Sequence, residues 1–270
     1  MLIKTVQPVR RMAGRIVRGL MGNLVSVETR EPIAALTFDD GPDPEFTLQL
    51  LNTLKRYHAH ATFFMVGENA RQHPEIVQQV VADGHAVGNH SWDHPSFPLI
   101  SAPERRRQIR RCASVIDPHG GLRLFRPPYG HQSFCSRLDA LWFGYTVVMW
   151  DVVVGDWLDH DASWIADRLL ENIRPGSIVC LHDRVYGNVS DAPLFDRGPM
   201  IDAVTMVLEQ LNGRMKFVTV PELLKHGQPN LRLHYEPPPQ DLIARLKEHP
   251  VIQNKGKALL SKSSITHTYL

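Results

Sequence analysis

From residue 33 onward, short apolar runs alternate with longer stretches whose apolar residues recur every three or four positions. The short runs are strand-like: Ile33–Asp39, Ala61–Val66, Ala86–Asn89, Leu124–Pro127, Thr146–Val152, Ser177–His182 and Lys216–Val220. The longer stretches are helix-like. Phe46–Tyr57 sets Leu50, Leu51 and Leu54 on one face. Pro74–Asp83 opens with a proline suited to a first helical position, carries Ile76, Val77, Val80 and Val81, and stops at Gly84. Arg105–Ile116, Phe134–Phe143, Ala162–Ile173 and Pro199–Leu211 follow, the last two running into the turn signals Arg174-Pro-Gly and Asn212-Gly213. Repeated strand–helix units imply parallel strands joined by right-handed crossovers. The expected class is therefore α/β, either a (β/α) barrel or a doubly wound sheet.

The two ends break this pattern. Residues 1–31 form a basic extension with no acidic residue before Glu28. Val9, Met12, Ile16, Leu20 and Leu24 recur there at helical spacing, with Arg10, Arg11, Arg15 and Arg18 between them. Such a helix closes the bottom of the domain or, through residues 9–24, lies peripherally on an anionic membrane surface. The short apolar segment after Arg18 is interrupted by Asn23 and makes a poor signal peptide, and no run approaches the ~20 residues that span a bilayer. A cytoplasmic address is the expectation. Residues 227–270 read as a C-terminal extension, partly disordered: Glu236-Pro-Pro-Pro-Gln240, a short helix over 241–249, then a basic, polar end. The catalytic domain is expected over 32–226.

Composition narrows the function classes. The chain has 270 residues, 43% hydrophobic and 21% charged, enough for a substantial core. A net charge of +2 gives no reason to expect nucleic acid as a partner. Cys112, Cys135 and Cys180 are odd in number and lack C-x-x-C spacing, so neither a disulfide framework nor a zinc knuckle is indicated.

The unusual polar residues fall at strand ends. The first strand ends in Asp39-Asp40, the third runs into His90 and His94, and the fourth into Arg126 and Tyr129. The fifth leads to Asp156 and Trp157, and the sixth ends in His182. The C-terminal ends of parallel barrel strands meet on one face, which carries the chemistry. His90 and His94 lie between Gly88 and Pro95, in a loop, and with one carboxylate suit a catalytic divalent metal. They also suit two solvated loop histidines. Adjacent aspartates at a strand end can divide the work, one binding metal and one acting as base, because successive strand side chains point to opposite sides. The plainer alternative is a turn-forming Asp-Gly-Pro with a solvated neighbour. His58, His60 and His85 read as structural, and Arg105–Arg107 with Arg110–Arg111 as a wet helix face. Trp92, Trp164 and Tyr186 suit either sugar stacking or the core.

Taken together, Thr37-Phe-Asp-Asp-Gly41, His90-Ser-Trp-Asp-His94, Arg126-Pro-Pro-Tyr129, Asp156-Trp157 and Leu181-His182, in that order, resemble the motifs of the polysaccharide deacetylases. This family is carbohydrate esterase family 4, the NodB-homology domain. The resemblance spans roughly residues 33–224 and implies a distorted, incomplete (β/α) barrel with about seven parallel strands. It implies Asp39 as catalytic base and Asp40, His90 and His94 as ligands of a divalent metal, usually zinc, with cobalt, nickel or manganese as alternatives. Ser91 would brace the metal loop, Arg126 would orient Asp39, and the Tyr129 amide would bind the oxyanion. His182 would be the general acid, Asp156 would tune Arg126 or His182, and Trp157 and Leu181 would wall the acetyl pocket. The implied substrate is an N-acetylglucosamine-containing glycan: chitooligosaccharide, peptidoglycan or a lipid-linked sugar. In one departure, Val153 stands where the family's fourth motif usually carries a further Asp; Asp151 is the nearby candidate to replace it. Two rivals remain: a same-fold hydrolase of another C–N or ester bond in a small molecule, and a non-catalytic glycan-binding protein. The sequence leaves the oligomeric state open.

Overall fold

The computed structural model describes residues 19–116, 123–186 and 196–233, with 235, 237, 238 and 240. Along the chain these form β1 (Asn23–Glu28), β2 (Ile33–Asp39), α1 (Phe46–Arg56), β3 (Ala61–Met65), α2 (Gly67–Gln72), α3 (Pro74–Ala82), β4 (Ala86–Asn89), α4 (Ala102–Ile116) and β5 (Leu124–Phe125). There follow α5 (Phe134–Trp142), β6 (Thr146–Val147), β7 (Val152–Val153), α6 (Ala162–Asn172), β8 (Ile178–His182), α7 (Gly198–Gln210), β9 (Lys216–Phe217), α8 (Val220–Leu223) and β10 (Gln228–Arg232). The main sheet runs β6-β5-β4-β3-β2-β8-β7, with β9 also on β2, and all its pairs are parallel. The seven-strand path curls into a half-barrel, one of the two classes the alternating pattern allows and the one the family resemblance implies.

The expected single strand Thr146–Val152 is instead two short strands at opposite edges of the sheet, β6 beside β5 and β7 beside β8. Arg126 lies at the break. Its guanidinium takes the carbonyls of Val148 and Met149, which a continuous strand would need for its own ladder. Residues 148–151 thus bridge the two edges, with the Val148 N–H donating to the Phe125 carbonyl and that of Asp151 to the Ile178 carbonyl.

β1 crosses the same gap lower down. Leu24 bridges Val148, its carbonyl accepts from the Met149 N–H at 2.7 Å, and Val27 donates to the Gly176 carbonyl at 2.9 Å. Gly176 is required there: its φ is +85°, and a Cβ would lie 1.8 Å from the Val27 carbonyl oxygen. β1 also pairs antiparallel with β10, joining two segments outside the expected 32–226 domain. The expected helix through Leu24 gives way to this strand after residues 19–21, because Leu24 and Val27 bury completely or nearly so once β1 docks. Val9, Met12 and Ile16, and the helix expected over 241–249, lie outside the described residues.

The described residues form three apolar cores, two of them on opposite faces of β2 and β8. Outward residues Ala34, Leu36, Phe38, Val179 and Leu181 pack with helix residues such as Leu50, Leu54, Leu169, Met200 and Val204. Inward residues Ile33, Ala35, Phe64 and Ile178 pack with Leu24, Val27 and Val148 and fill the lower barrel. The predicted wet face of α4 is only partly so. Arg105 is buried, and it and Arg106 hold Asp139 of α5 at 2.6 and 2.7 Å. A buried carboxylate between two helices needs such partners, which the sequence pattern of arginines did not reveal.

Candidate active site

Above the apolar floor the inward residues turn polar. β2 continues from Ile33 and Ala35 to Thr37 and Asp39, and β8 from Ile178 to Cys180 and His182. The parallel register sets Thr37 opposite Cys180 and Asp39 opposite His182.

Arg126 leaves β5 fully buried beneath this face. Its Nη1 donates to Asp39 Oδ1 and to Thr37 Oγ1, each at 2.7 Å. Its Nε and Nη2 donate to the Val148 and Met149 carbonyls at 3.1 and 2.9 Å. The guanidinium carbon lies 4.1 Å from the Phe64 ring centre. A buried guanidinium with its donors this well used holds the Asp39 carboxylate in one orientation. The second carboxylate oxygen then lies 3.6 Å from Cys180 Sγ and 3.9 Å from His90 Nε2.

Asp40 reaches the same mouth by a different route. Strand alternation would turn it away, but its φ of +76° swings it back. Its Oδ1 lies 3.3 Å from His90 Nε2 and 3.1 Å from His94 Nε2, and its Oδ2 accepts from the Tyr186 N–H at 3.1 Å. Ser91, His94 and Tyr129 also have positive φ, 69°, 59° and 60°. Left-handed non-glycine residues are strained, and their concentration at one mouth marks a backbone shaped for a site. Ser91 braces its loop as expected, its Oγ accepting from the His94 N–H at 3.1 Å.

The Asp40, His90 and His94 ligand atoms all lie within 4.8 Å of one another. His90 Nδ1 lies 2.8 Å from the Arg126 carbonyl, which can only accept, so Nδ1 carries the proton. In the neutral ring Nε2 then turns a lone pair toward Asp40 Oδ1, which accepts no hydrogen bond although buried. Opposed lone pairs in a buried site are resolved by a cation between them. Burial works against charge on Asp40, but His94 and His90 hold its carboxyl well below the usual range. Burial lowers the His94 pKa despite Asp40. Two imidazoles and one carboxylate fit a divalent transition metal with an open coordination position.

His182 faces this cluster from β8. Its Nδ1 contacts Asp156 Oδ1 at 3.0 Å, and its backbone N–H donates to Asp156 Oδ2 at 2.9 Å. Burial opposes charge on His182, but contact with Asp156, and then the charges of Asp40 and Asp39, raise its pKa to about 9. Trp157 sets its ring edge-on to His182 at 4.9 Å. The Tyr129 ring packs on His94 at 4.3 Å.

The structure thus brings together Asp39, Asp40, His90, His94, Arg126, Tyr129, Asp156, Trp157 and His182. Leu181 is not with them. It is fully buried in the helix-packed core, on the other side of β8 from Cys180 and His182. Asp156 meets His182 and does not reach Arg126 by any hydrogen bond described. Asp151 does not stand in at Val153: it accepts from Ser177 Oγ and the Ile178 N–H, beside a cavity of about 480 Å³ lined by residues 26–30 and Pro175. Val153 itself pairs with Cys180 in the β7–β8 ladder. Trp92 is buried between the Arg71 and Arg111 guanidiniums, and Trp164 stacks on His160 at 3.7 Å, so neither lies at the metal cluster.

Sequence reasoning missed four residues here. Cys180 could have been found from the alternation of β8. Asp183 is buried below Asp40; its carboxylate accepts from the Gly41 N–H and Thr47 Oγ1 and secures that turn. Burial, then the charges of Asp40 and Asp43, push its pKa up to about 7. Tyr186 was weighed only as an aromatic, but its backbone N–H binds Asp40. Buried Arg197 donates to the Asp156 carbonyl at 2.7 Å from the far end of the segment after β8, with no local signal.

These features define a parallel-stranded α/β half-barrel with a His-His-Asp cluster and a separately held Asp at its mouth. Comparison with known proteins gives the family. The model described as "Polysaccharide deacetylase" matches residues 26–148. A peptidoglycan-N-acetylglucosamine deacetylase from Bacillus cereus is 34% identical over 194 residues, covering 71% of this chain and 68% of that protein. A chitooligosaccharide deacetylase from Sinorhizobium fredii is 36% identical over 158 residues, covering 57% of this chain and 74% of that protein. The crystal structure of the Bc1960 peptidoglycan N-acetylglucosamine deacetylase superposes with a TM-score of 0.68 at 32% identity, covering 76% of this chain and 94% of that one. The chain belongs to the polysaccharide deacetylase family, carbohydrate esterase family 4.

Proposed function

We propose that the protein is a metal-dependent hydrolase that removes N-acetyl groups from an N-acetylglucosamine-containing glycan and releases acetate. The observation that carries this reading is the opposition of two separately held groups across one cation-shaped cluster. Asp39 is fixed by Arg126 on one side, and His182 is fixed by Asp156 on the other. Asp40, His90 and His94 would hold the metal, zinc before cobalt, nickel or manganese. When bound, the metal would polarise the acetamide carbonyl and lower the pKa of water. Asp39 accepts the proton of the attacking water through the carboxylate oxygen that Arg126 leaves uncommitted. The Tyr129 backbone N–H stabilises the oxyanion, and His182 protonates the departing amine. Trp157 borders the acetyl group.

The relatives' names cover peptidoglycan and chitooligosaccharide, and the acetylated amino sugar is their common chemistry. The test is acetate release from N-acetylglucosamine oligomers and from peptidoglycan fragments. It is run with protein as isolated, after chelation and after zinc is restored. Release that chelation abolishes and zinc restores supports the reading. No release from any acetylated sugar by zinc-loaded protein overturns it, and release from a small-molecule amide or ester panel would then favour the first rival. Oligosaccharide binding without release would favour the second.

A peripheral membrane contact belongs to the same proposal. No helix among the described residues is long and apolar enough to cross a membrane. However, α5 exposes Phe134, Leu138 and Trp142 at a spacing of four, and Trp142 is 81% exposed. Exposed Leu20 lies beside this face, its carbonyl accepting from Arg137 of α5 at 2.8 Å. The arginines at 10, 11, 15 and 18 lie outside the described residues, and their charge in the sequence makes an anionic bilayer the surface proposed for this face. Cosedimentation with anionic vesicles, lost in Trp142→Glu, tests it; equal binding to neutral vesicles would overturn the anionic preference.

A further inference from the structure

A second cluster of metal-ligating atoms lies beside the first and uses none of its residues. Asp39, Cys180 and His182 each offer one ligand atom, and these atoms all lie within 4.8 Å of one another. The cluster follows from β-structure alone: Cys180 and His182 share the inward face of β8, and Asp39 faces them from its partner strand β2. We propose that Asp39, Cys180 and His182 form a second cation site for zinc-like ions, and that filling it switches the enzyme off.

Three features of the cluster argue for a cation. The donors are one thiol, one imidazole and one carboxylate, a mixture that suits zinc or cobalt and not magnesium or calcium. His182 is already oriented for the purpose. Asp156 holds its Nδ1 at 3.0 Å, leaving Nε2 to bind, which is the carboxylate–imidazole support that metal-bound histidines commonly have. Asp39 is likewise oriented: Arg126 holds Oδ1 at 2.7 Å, and Oδ2 lies 3.6 Å from Cys180 Sγ. At neutral pH the Cys180 thiol and the His182 imidazolium each lose a proton to solvent as the cation binds, so two protons are released per ion.

The same geometry sets the order of filling. The Arg126 guanidinium beside Asp39 repels a cation, whereas Asp40 Oδ1 is buried, accepts no hydrogen bond and faces His90 Nε2 and His94 Nε2 at 3.3 and 3.1 Å. The Asp40 cluster therefore fills first and the Cys180 cluster second. The first occupancy leaves the base and the acid untouched. The second ties up the lone pairs of both, Asp39 and His182, together. The inhibitory consequence rests on the function proposed above; the binding does not.

Cobalt separates the two sites, because only the second contains sulfur. Metal-free protein carrying Cys135→Ser, which removes the exposed thiol, is titrated with cobalt; Cys112 is buried elsewhere with its thiol on the Met65 carbonyl. The expected result is two ions bound per chain. A near-ultraviolet thiolate-to-cobalt charge-transfer band should grow with the second ion only. Acetate release should rise with the first ion and fall at least tenfold as the band appears. In Cys180→Ala the band disappears, one ion binds, and activity at one ion and at excess becomes the same. Cys180→Ser, which keeps the size of the side chain, should also lose the band. The visible cobalt absorption of the first site should persist in both variants and shows that the mouth still assembles. Two ions bound without a charge-transfer band, or a band that survives in Cys180→Ala, would overturn the site. A band in a protein that releases no acetate would leave the site standing and count against the proposed function alone.

Discussion

At the lower end of β2, Ile33 and Ala35 close against Leu24, Val148 and Ile178; a few residues higher on the same face, Thr37 and Asp39 meet Arg126, Cys180 and His182. One set of strands thus builds a dry plug and a polar mouth. The plug is held by area: buried apolar side chains that any similar volume would satisfy in part. The mouth is held by direction: hydrogen bonds, an ion pair and strained φ values that allow few substitutes. Arg126 joins the two. It orients Asp39 above and takes the Val148 and Met149 carbonyls below, where residues 148–151 seal the barrel.

The largest expected effect lies wholly in the mouth. Asp39→Asn should lower acetate release by about 10²–10⁴-fold, the usual worth of a general base, and should lower the melting temperature as well, because buried Arg126 loses its carboxylate partner. A variant with unchanged release would remove Asp39 from the chemistry. Leu24→Ala tests the plug. It should cost about 2–5 kcal/mol of unfolding free energy in a denaturant titration and leave turnover unchanged at temperatures where the protein stays folded. If it instead cut turnover in the folded state, the two ends would be less separate than the packing indicates.

Two pH dependences sharpen the contrast. His182 has a pKa of about 9, so the protonated form that can donate to a leaving amine is present at neutral pH and is lost as pH rises through about 9. The alkaline limb of the rate profile should fall there, and Asp156→Asn should move it toward lower pH by removing the contact that raises it. An unmoved limb would assign it to another group. His85 concerns stability only. Burial, and then the nearby His60, lower its pKa to about 4, while its Nδ1 accepts from the Ala61 N–H at 3.1 Å. The unfolded chain protonates it near the ordinary value of about 6.5. Its contribution is therefore complete above that value and is lost as pH falls toward 4, on the order of 3 kcal/mol. His85→Gln should flatten the acid limb of the melting-temperature profile without moving the rate profile. The smallest effect is expected at Asp151→Asn, which should leave turnover unchanged, since Asp151 lies by the lower cavity and not beside His182.

Legibility differed by region for physical reasons. The parallel strands were readable because both barrel faces are apolar, so each strand is a short hydrophobic run between turn signals. β1 and β10 were not, because a two-stranded ribbon is specified by its partner more than by its own pattern. The break between β6 and β7 was hidden as well, since the partners of residues 148–151, Arg126 among them, are distant in sequence. In the site, strand-end position identified Asp39, His90, His94, Arg126 and His182, but it gave the wrong reason for Asp40. Alternation would have separated the two aspartates; a left-handed backbone at Asp40 brings both to one mouth. Leu181 shows the converse error. The family resemblance implied a place in the acetyl pocket, and the pleat sends its side chain to the other face.

By itself the sequence determined the repeating strand–helix order, the class of fold and the residue types gathered at the C-terminal strand ends. These rest on local periodicity and on motif order, which a linear chain carries directly. Tertiary structure alone decided which oxygen of Asp39 Arg126 holds, that Asp156 serves His182, that Arg197 reaches Asp156, and that Cys180 completes a second ligand cluster. Each of those depends on residues distant in sequence, brought together by strand register and by backbone angles that only the closed barrel can enforce.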